Sequence, residues 1–454
     1  MSDITDSVQD TTNYKFRDEE EFVETKRDWI SQIPSNWSVI KLARCLESLD
    51  SGSRDNYDGN NGVFSIGGEH ITEKGSLTTD NEKFVSEGFY DSMNGGRVRT
   101  EDVLLVKDGA TIGKCAIVDE IPYRKAAVNS HVYVLRGKEF CSNKFLYYLI
   151  DSEIVQEQIQ VSITGSAQEG LSRKFTKFVN VPMPPRKEQE AIVDFLDIET
   201  SQISKLIENK SRLIELLEEK RAAIINELVT SGIDKSIKKE IDLDWCEGIP
   251  EGWETTSLRN TVNKFVDYRG ATPEKSDTGI TLITAKNIDD GELDFSEDHE
   301  YVTEEVYSDW MTRGYPEEGD VLITTEAPMG EVAQVKDTPV ALAQRIILLK
   351  VNTNLIKKDF LKCFLDSEFN QTQLMKSQTG STAKGIKASK LKGIRVLIPP
   401  LSEQEEILEE IEQETQKIDE IISVVNSGIK HLKEYRKALI TKAVTGQIDV
   451  RGEV

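Results

Sequence analysis

Residues 187–230 read KEQEAIVDFLDIETSQISKLIENKSRLIELLEEKRAAIINELVT, and residues 402–445 read SEQEEILEEIEQETQKIDEIISVVNSGIKHLKEYRKALITKAVT. Neither stretch contains proline, and both are rich in Glu, Lys, Ile and Leu. Apolar residues recur at three- and four-residue steps, the spacing that gathers them on one helix face. The first seam is Val193, Leu196, Ile203, Ile207, Ile214, Leu217, Ile224 and Leu228; the second is Leu408, Ile411, Ile418, Ile422, Ile429, Leu432, Leu439 and Ala443. Both are interrupted at equivalent places, by Thr200 and Thr415 and by Arg221 and Arg436. Ser402 with Glu405, after Pro399-Pro400, reads as a capping box that starts the second helix. A 44-residue helix is about 66 Å long, longer than a domain of roughly 150 residues is wide. Each helix therefore needs a further partner, and the expectation is an antiparallel coiled-coil pair.

Outward from these stretches the chain repeats itself about every 215 residues. Asp28-Trp29, Ile33-Pro34 and Trp37 recur as Asp244-Trp245, Ile249-Pro250 and Trp253. Asp102-Val103-Leu104 with Gly113 recurs as Asp320-Val321-Leu322 with Gly330, and Thr164-Gly165-Ser166 with Gly170 as Thr379-Gly380-Ser381 with Gly385. Pro184-Pro185 and Glu188-Gln189 recur as Pro399-Pro400 and Glu403-Gln404. Within each copy, short apolar runs broken by Gly, Asn, Asp and Pro precede the long helix. Val103–Val106, Ala116–Val118, His131–Leu135, Val321–Thr324 and Ile346–Val351 read as strands, and Phe145–Ile159 and Asp359–Met375 as helices. The fold class expected is α+β: two tandem domains with a pseudo-twofold internal repeat, separated by two long antiparallel helices. The expected boundaries are a solvated acidic tail over 1–27, a first domain over 28–185 and a first spacer helix over 186–235. A second domain over 236–400 and a second spacer helix over 401–454 follow.

The net charge is −24, spread along the chain, which weighs against nucleic acid globally while leaving local basic clusters open. The polar, acidic opening lacks the basic start and apolar stretch of a signal peptide, and no run of 18 apolar residues predicts a membrane span. The five cysteines are scattered without a Cys-x-x-Cys pair, and the four histidines lie far apart. That pattern predicts neither a zinc site nor a disulfide framework, and suits a reducing cytoplasm.

The order of elements, the Ile-Pro-x-x-Trp opening of each copy, and the Thr-Gly-Ser stretch leading into Pro-Pro-x-x-Glu-Gln resemble the specificity subunit of type I restriction-modification systems. Asp108-Gly109-Ala110-Thr111-Ile112-Gly113, Gly319-Asp320-Val321-Leu322-Ile323 and Tyr268-Arg269-Gly270-Ala271-Thr272-Pro273 carry the resemblance further. It spans residues 28–450, although Arg54-Asp55-Asn56 departs from the second copy's Gly270-Ala271-Thr272-Pro273. The resemblance implies that each domain is a target-recognition domain reading one half of a bipartite double-stranded DNA site. It also implies that the helices set the gap and dock two methyltransferase subunits. Up to two translocase and nuclease subunits then complete a restriction complex. S-adenosylmethionine, and ATP with Mg, are expected on those partners, and no cofactor or metal on this chain.

Chemistry within the chain is not expected either. Met183-Pro184-Pro185-Arg186 and Ile398-Pro399-Pro400-Leu401 lack the polar group and aromatic ring that hold a flipped adenine. Gly109 to Gly113-Lys114-Cys115 misses the P-loop spacing and hydroxyl, and Glu24-Thr25-Lys26 has no Pro-Asp before it. A specificity subunit serving a fused methylase-nuclease partner, a protein-binding scaffold and a hydrolase are the competing readings.

DNA contacts are expected from basic and amide side chains. The densest cluster is Lys384, Lys387, Lys390, Lys392 and Arg395, with Arg173, Lys174 and Lys177 as its counterpart. Both clusters follow a Thr-Gly-Ser turn containing Ser166 or Ser381, whose amides suit a phosphate. Strand-end loops add Arg97, Arg99, Lys107, Thr111, Lys114, Arg124, Lys125, Asn129 and His131 in the first copy. In the second they add Tyr268, Arg269, Lys286, Asn287, Thr324, Thr325, Gln344 and Arg345.

Overall fold

The structure, a computed structural model, describes residues 14–53, 62–121, 123–163, 170–234, 238–239, 248–268, 272–289, 291–296, 298–378 and 385–451. It falls into two compact units that do not follow chain order: Met1–Ser211 with Asn426–Val454, and Arg212–Val425. Each unit therefore contains a segment of both long helices.

In the first unit, β1 (Phe22–Arg27) pairs with β2 (Ile30–Pro34), and β3 (Ser38–Lys41) leads to β4 (Leu46–Ser51). β5 (Val63–Ile66), β6 (Phe84–Val85), β7 (Val103–Val106), β8 (Cys115–Ile117), β9 (Ala126–Val128) and β10 (Val132–Gly137) follow. The order β4-β10-β7-β8 makes an antiparallel sheet, and β6-β5-β9 a second sheet in which β5 and β9 are parallel. Side chains alternate between strand faces, and β7 is buried on both. Val103 and Leu105 join the core beneath the helices, whereas Leu104 and Val106 join the core shared with Phe64, Ile66 and Val128 of the second sheet. This sandwiching explains a continuous apolar run rather than an alternating one.

Two short helices, α1 (Asn143–Asp151) and α2 (Glu153–Ile163), cover the first sheet, and β11 (Asn180–Met183) pairs with β3 before the long helix α3 (Arg186–Ser231). The unit is completed from the far end of the chain. Leu439, Ile440, Ala443 and Val444 enter the core with Ile192, Leu196 and Ile203 of α3. Trp37 donates its indole N–H to Glu188 at 3.0 Å, near the start of α3. The same ring lies against Gly446, where the second long helix ends in a left-handed turn (φ +77°) that a Cβ would crowd. With Lys210 reaching Gly428, the two helical segments of this unit run in opposite directions.

The second unit repeats the plan. β12 (Glu254–Ser257), β13 (Val262–Asp267), β14 (Ile280–Ile283), β15 (Glu300–Val302), β16 (Val321–Thr325), β17 (Met329–Gln334), β18 (Val340–Leu342) and β19 (Ile346–Val351) form it. Their sheets have the orders β13-β19-β16-β17 and β15-β14-β18. α4 (Lys358–Asp366), α5 (Glu368–Lys376), β20 (Arg395–Ile398) and the long helix α6 (Leu401–Val444) follow. Val321 and Ile323 again face the helices and Leu322 the second sheet. Trp253 donates to Glu403 at 2.9 Å and packs on Gly232.

Three expectations change. The single helices expected over Phe145–Ile159 and Asp359–Met375 are each broken, at Ser152 and Ser367, whose backbones are extended. The freed N–H groups at the next helix start are capped from a long helix: Glu153 donates to Thr441 Oγ1 at 3.0 Å, and Phe369 to Asn226 Oδ1 at 2.9 Å. Ser402 does not cap α6, which begins one residue earlier, and Glu405 instead pairs with Lys357. Part of the stretch expected as a solvated tail is structured: beyond β1, Phe16 bridges Ile448, and buried Arg17 pairs with Glu188. Aromatic side chains anchor it, with Tyr14 edge-on to Phe195 at 5.1 Å. Replacing Trp253 by Phe, which keeps the ring but removes the donor to a carboxylate, is expected to cost about 1–3 kcal/mol. The check is a lowered denaturation midpoint with unchanged secondary structure by circular dichroism.

Candidate nucleic-acid interface

The two central strands end at the same construction. In the first unit the amide of Lys107 donates to the carbonyl of His131 (2.9 Å), and Leu171 N–H donates to the carbonyl of Lys107 (2.7 Å). Asp108 bridges Gly170. In the second, Thr325 donates to Arg345 (2.7 Å), Ile386 donates to Thr325 (2.9 Å), and Glu326 bridges Gly385. The strand end, the turn before the neighbouring strand and the segment leading to the basic cluster are thus tied together in both.

Side chains at this junction are charged and accessible. His131 Nδ1 lies 3.5 Å from Asp108 Oδ2, and Lys107 Nζ lies 2.8 Å from the same oxygen. Arg345 Nε lies 3.4 Å from Glu326 Oε1. Lys107 also sits 5.5 Å over the Tyr133 ring, whose buried phenol is pushed above its ordinary pKa and donates to the carbonyl of Leu171 at 2.8 Å. Asp108 and Glu326 were not among the sequence candidates. Their shared position, one residue past the β7 strand-end Lys107 and the β16 terminus Thr325, was the available signal.

The basic clusters follow within a few residues. Arg173, Lys174 and Lys177 occupy one exposed 3₁₀ turn, with Arg173 3.4 Å from Ser51 Oγ. Lys387 immediately precedes the short helix at 388–392, in which Lys390 donates to the carbonyl of Ser377 and Lys392 lies over Phe265. Arg395 is turned back to the carbonyl of Thr255.

Other candidates lie elsewhere. Arg97 and Lys125 both pack over Tyr90 at 5.3 Å, and a hydrogen bond from Lys125 to Glu87 raises the lysine pKa. Lys114 pairs with Glu73, and Lys286 with Asp298. Arg99, Thr111 and Arg124 are exposed, and Gln344 is half-buried beside Arg345.

Five candidates are corrected: Asn129, Tyr268, Asn287, Thr324 and Thr325 are buried. Asn129 accepts from the amide of His131, and Asn287 holds the 284–298 loop through Thr284, Asp294 and Asp298. Tyr268 stacks on Trp310 and accepts from Arg313, its phenol pKa raised by burial. Thr324 accepts from Glu331, and Thr325 donates to the carbonyl of Arg345. Their polar groups shape loops instead of facing outward. Ser166, Arg269, Ser381 and Lys384 lie outside the described residues.

Residues 34–218 and 250–431 match the family model described as the type I restriction modification DNA specificity domain. The chain belongs to this family. Its role is DNA sequence recognition, and it is a specificity subunit rather than a catalytic one. Similar proteins include the type I restriction enzyme EcoBI specificity subunit of Escherichia coli, 26% identical over 388 residues, 83% of this chain and 78% of that one. Another is the MjaVIII specificity subunit of Methanocaldococcus jannaschii, 24% identical over 373 residues, 78% of this chain and 80% of that one. A solved structure from work on complex assembly and conformational transition of the type I R-M system shares the fold. Its TM-score is 0.62 at 16% identity, over 93% of this specificity subunit and 99% of that chain.

No helix among the described residues is long and apolar enough to cross a membrane. Replacing Arg173 and Lys174 together by Ala in the specificity subunit is expected to weaken DNA binding by the assembled complex similarly on all sequences. It should also lower the salt-dependence slope by about 2, measured by titration at several salt concentrations.

Proposed function

We propose that each unit reads one half of a bipartite DNA site, that the two long helices fix the gap between the halves, and that they dock methyltransferase subunits. The observation that carries this reading is the duplicated strand-end construction: the same backbone frame occurs twice, with different side chains on it. One frame with two side-chain sets suits two half-sites of different sequence. Basic clusters beside each frame would hold phosphates and set register, leaving the strand-end loops to contact base edges.

The spacer role is supported by the helix lengths, 46 and 44 residues, about 69 and 66 Å. A coiled-coil pairing of the helices is supported within the second unit by Arg221, 3.9 Å from Asp419, and by the buried seam residue Ile418. Leu213, Leu216, Ile421 and Val424 of the same unit remain exposed, Val424 by 72%. Exposed leucine and isoleucine on a long helix suit a partner surface, and the partners proposed are two methyltransferase subunits with up to two translocase-nuclease subunits. In this scheme S-adenosylmethionine, and ATP with Mg, bind those partners, and adenine is the methylated base.

The test is to delete one heptad from each long helix and map adenine methylation in cells that express the methyltransferase partner. Seven residues shorten each helix by about 10 Å, equivalent to about three base pairs. The expected result is the same two half-sites with a shorter gap. An unchanged gap in an active complex overturns the spacer role.

A further inference from the structure

We propose that Glu326 and Arg345 form a specificity-determining pair that reads one G·C base pair in the half-site of the second unit. The inference rests on the DNA-reading function proposed above and adds the residues and the base. The Arg345 contact to Glu326 uses Nε, on one side of the guanidinium. Its two terminal nitrogens have no other partner among the described residues, so the two-pronged end of the group is available. That end matches guanine O6 and N7, and a carboxylate beside it accepts from the cytosine amine. A donor fork next to an acceptor fits G·C in the major groove. It does not fit A·T, whose purine presents an amine where guanine presents O6.

The backbone holds the pair in place. Arg345 adopts φ +77°, the left-handed region that non-glycine residues seldom occupy. Its carbonyl accepts from both Thr325 N–H (2.7 Å) and Thr325 Oγ1 (3.1 Å), fixing this conformation at the strand end. A recess of about 390 Å³, lined by Glu326, Pro328, Met329, Arg345, Gln371 and Met375, opens beside the pair. The first unit places Asp108 and His131 on the equivalent frame. A basic side chain facing a carboxylate therefore recurs where the surrounding loop sequence does not.

The experiment maps adenine methylation by the complete complex carrying the wild-type chain, Glu326→Gln, Arg345→Gly or Asp108→Asn. Glycine is at ease at φ +77°, and Gln matches Glu in shape, so both second-unit variants keep the frame. The wild-type motif is expected to hold an invariant G·C pair in one half. Both second-unit variants should relax discrimination at that position, roughly 5- to 150-fold, and leave the other half unchanged. Asp108→Asn should alter only the other half. An unchanged motif with Glu326→Gln, relaxation at an A·T position, or relaxation of both halves together overturns the proposal, even where Arg345→Gly abolishes methylation. An undivided wild-type motif would instead overturn the bipartite reading itself.

Discussion

A helix of more than forty residues carries more apolar seam than the domain at one of its ends can cover, and the architecture of each unit follows from that excess. In the first unit the seam of α3 is buried only as far as α6 supplies Leu439, Ile440 and Ala443 to the same core. The breaks in the seam take part in this packing. Thr200 and Thr415 return their hydroxyls to the carbonyls of Leu196 and Ile411, at 2.6 and 2.7 Å, so no polar atom is stranded there. Arg436 is turned inward, 3.3 Å from Asp151 and from the Tyr147 hydroxyl. Burial pushes the Asp151 carboxyl up, and the guanidinium opposes that shift. Such a buried pair adds little net stability over apolar packing but makes a slipped register expensive, because a slip would bury both charges unpaired.

The strands impose the complementary restriction. β7 and the Val321–Ile323 part of β16 are apolar on both faces, so substitutions along them disturb one core or the other. The two copies differ where the strands run out, at 107–108 and 325–326, and in the turns ending at His131 and Arg345. The part of the frame that both units share is made of backbone hydrogen bonds, which form whatever side chains they carry. In the proposed reading, recognition chemistry can therefore differ between the units while the fold does not.

Much of this architecture is legible in the sequence because it rests on periodicity and repetition. The seams, Trp37 and Trp253, Glu188 and Glu403, and the apolar strands all recur at nearly one offset; that each Trp meets its Glu shows only in the fold. The breaks at Ser152 and Ser367 were not legible. Local propensity favours a continuous helix there, and the compensating caps come from Thr441 and Asn226, remote in sequence. The same limit acts on the candidate site. Residue type marks Tyr268, Asn287 and Asn129 as hydrogen-bonding groups but not the direction they face, and tertiary packing turns all three inward. Asp108 and Glu326 escape notice for the opposite reason. Residue types that bind phosphate do not include carboxylates, whose placement shows only when the turn before the next strand brings a basic side chain to each.

Those carboxylates also bear on the acidity of the chain. Among the candidate contact residues Lys107, Lys125, Lys286 and Arg345 each face an acidic partner. A phosphate approaching such a pair meets a negative charge beside the positive one, so generic electrostatic attraction is weakened. A base edge that presents a donor as well as acceptors meets both charges favourably. Sequence recognition requires a large difference between correct and incorrect DNA, and that difference grows when the incorrect complex is penalised as well as the correct one favoured. A net charge of −24 is then compatible with DNA recognition: it limits indiscriminate adhesion, and in the proposed reading the basic turn at Arg173–Lys177 and the helix at 388–392 supply local attraction.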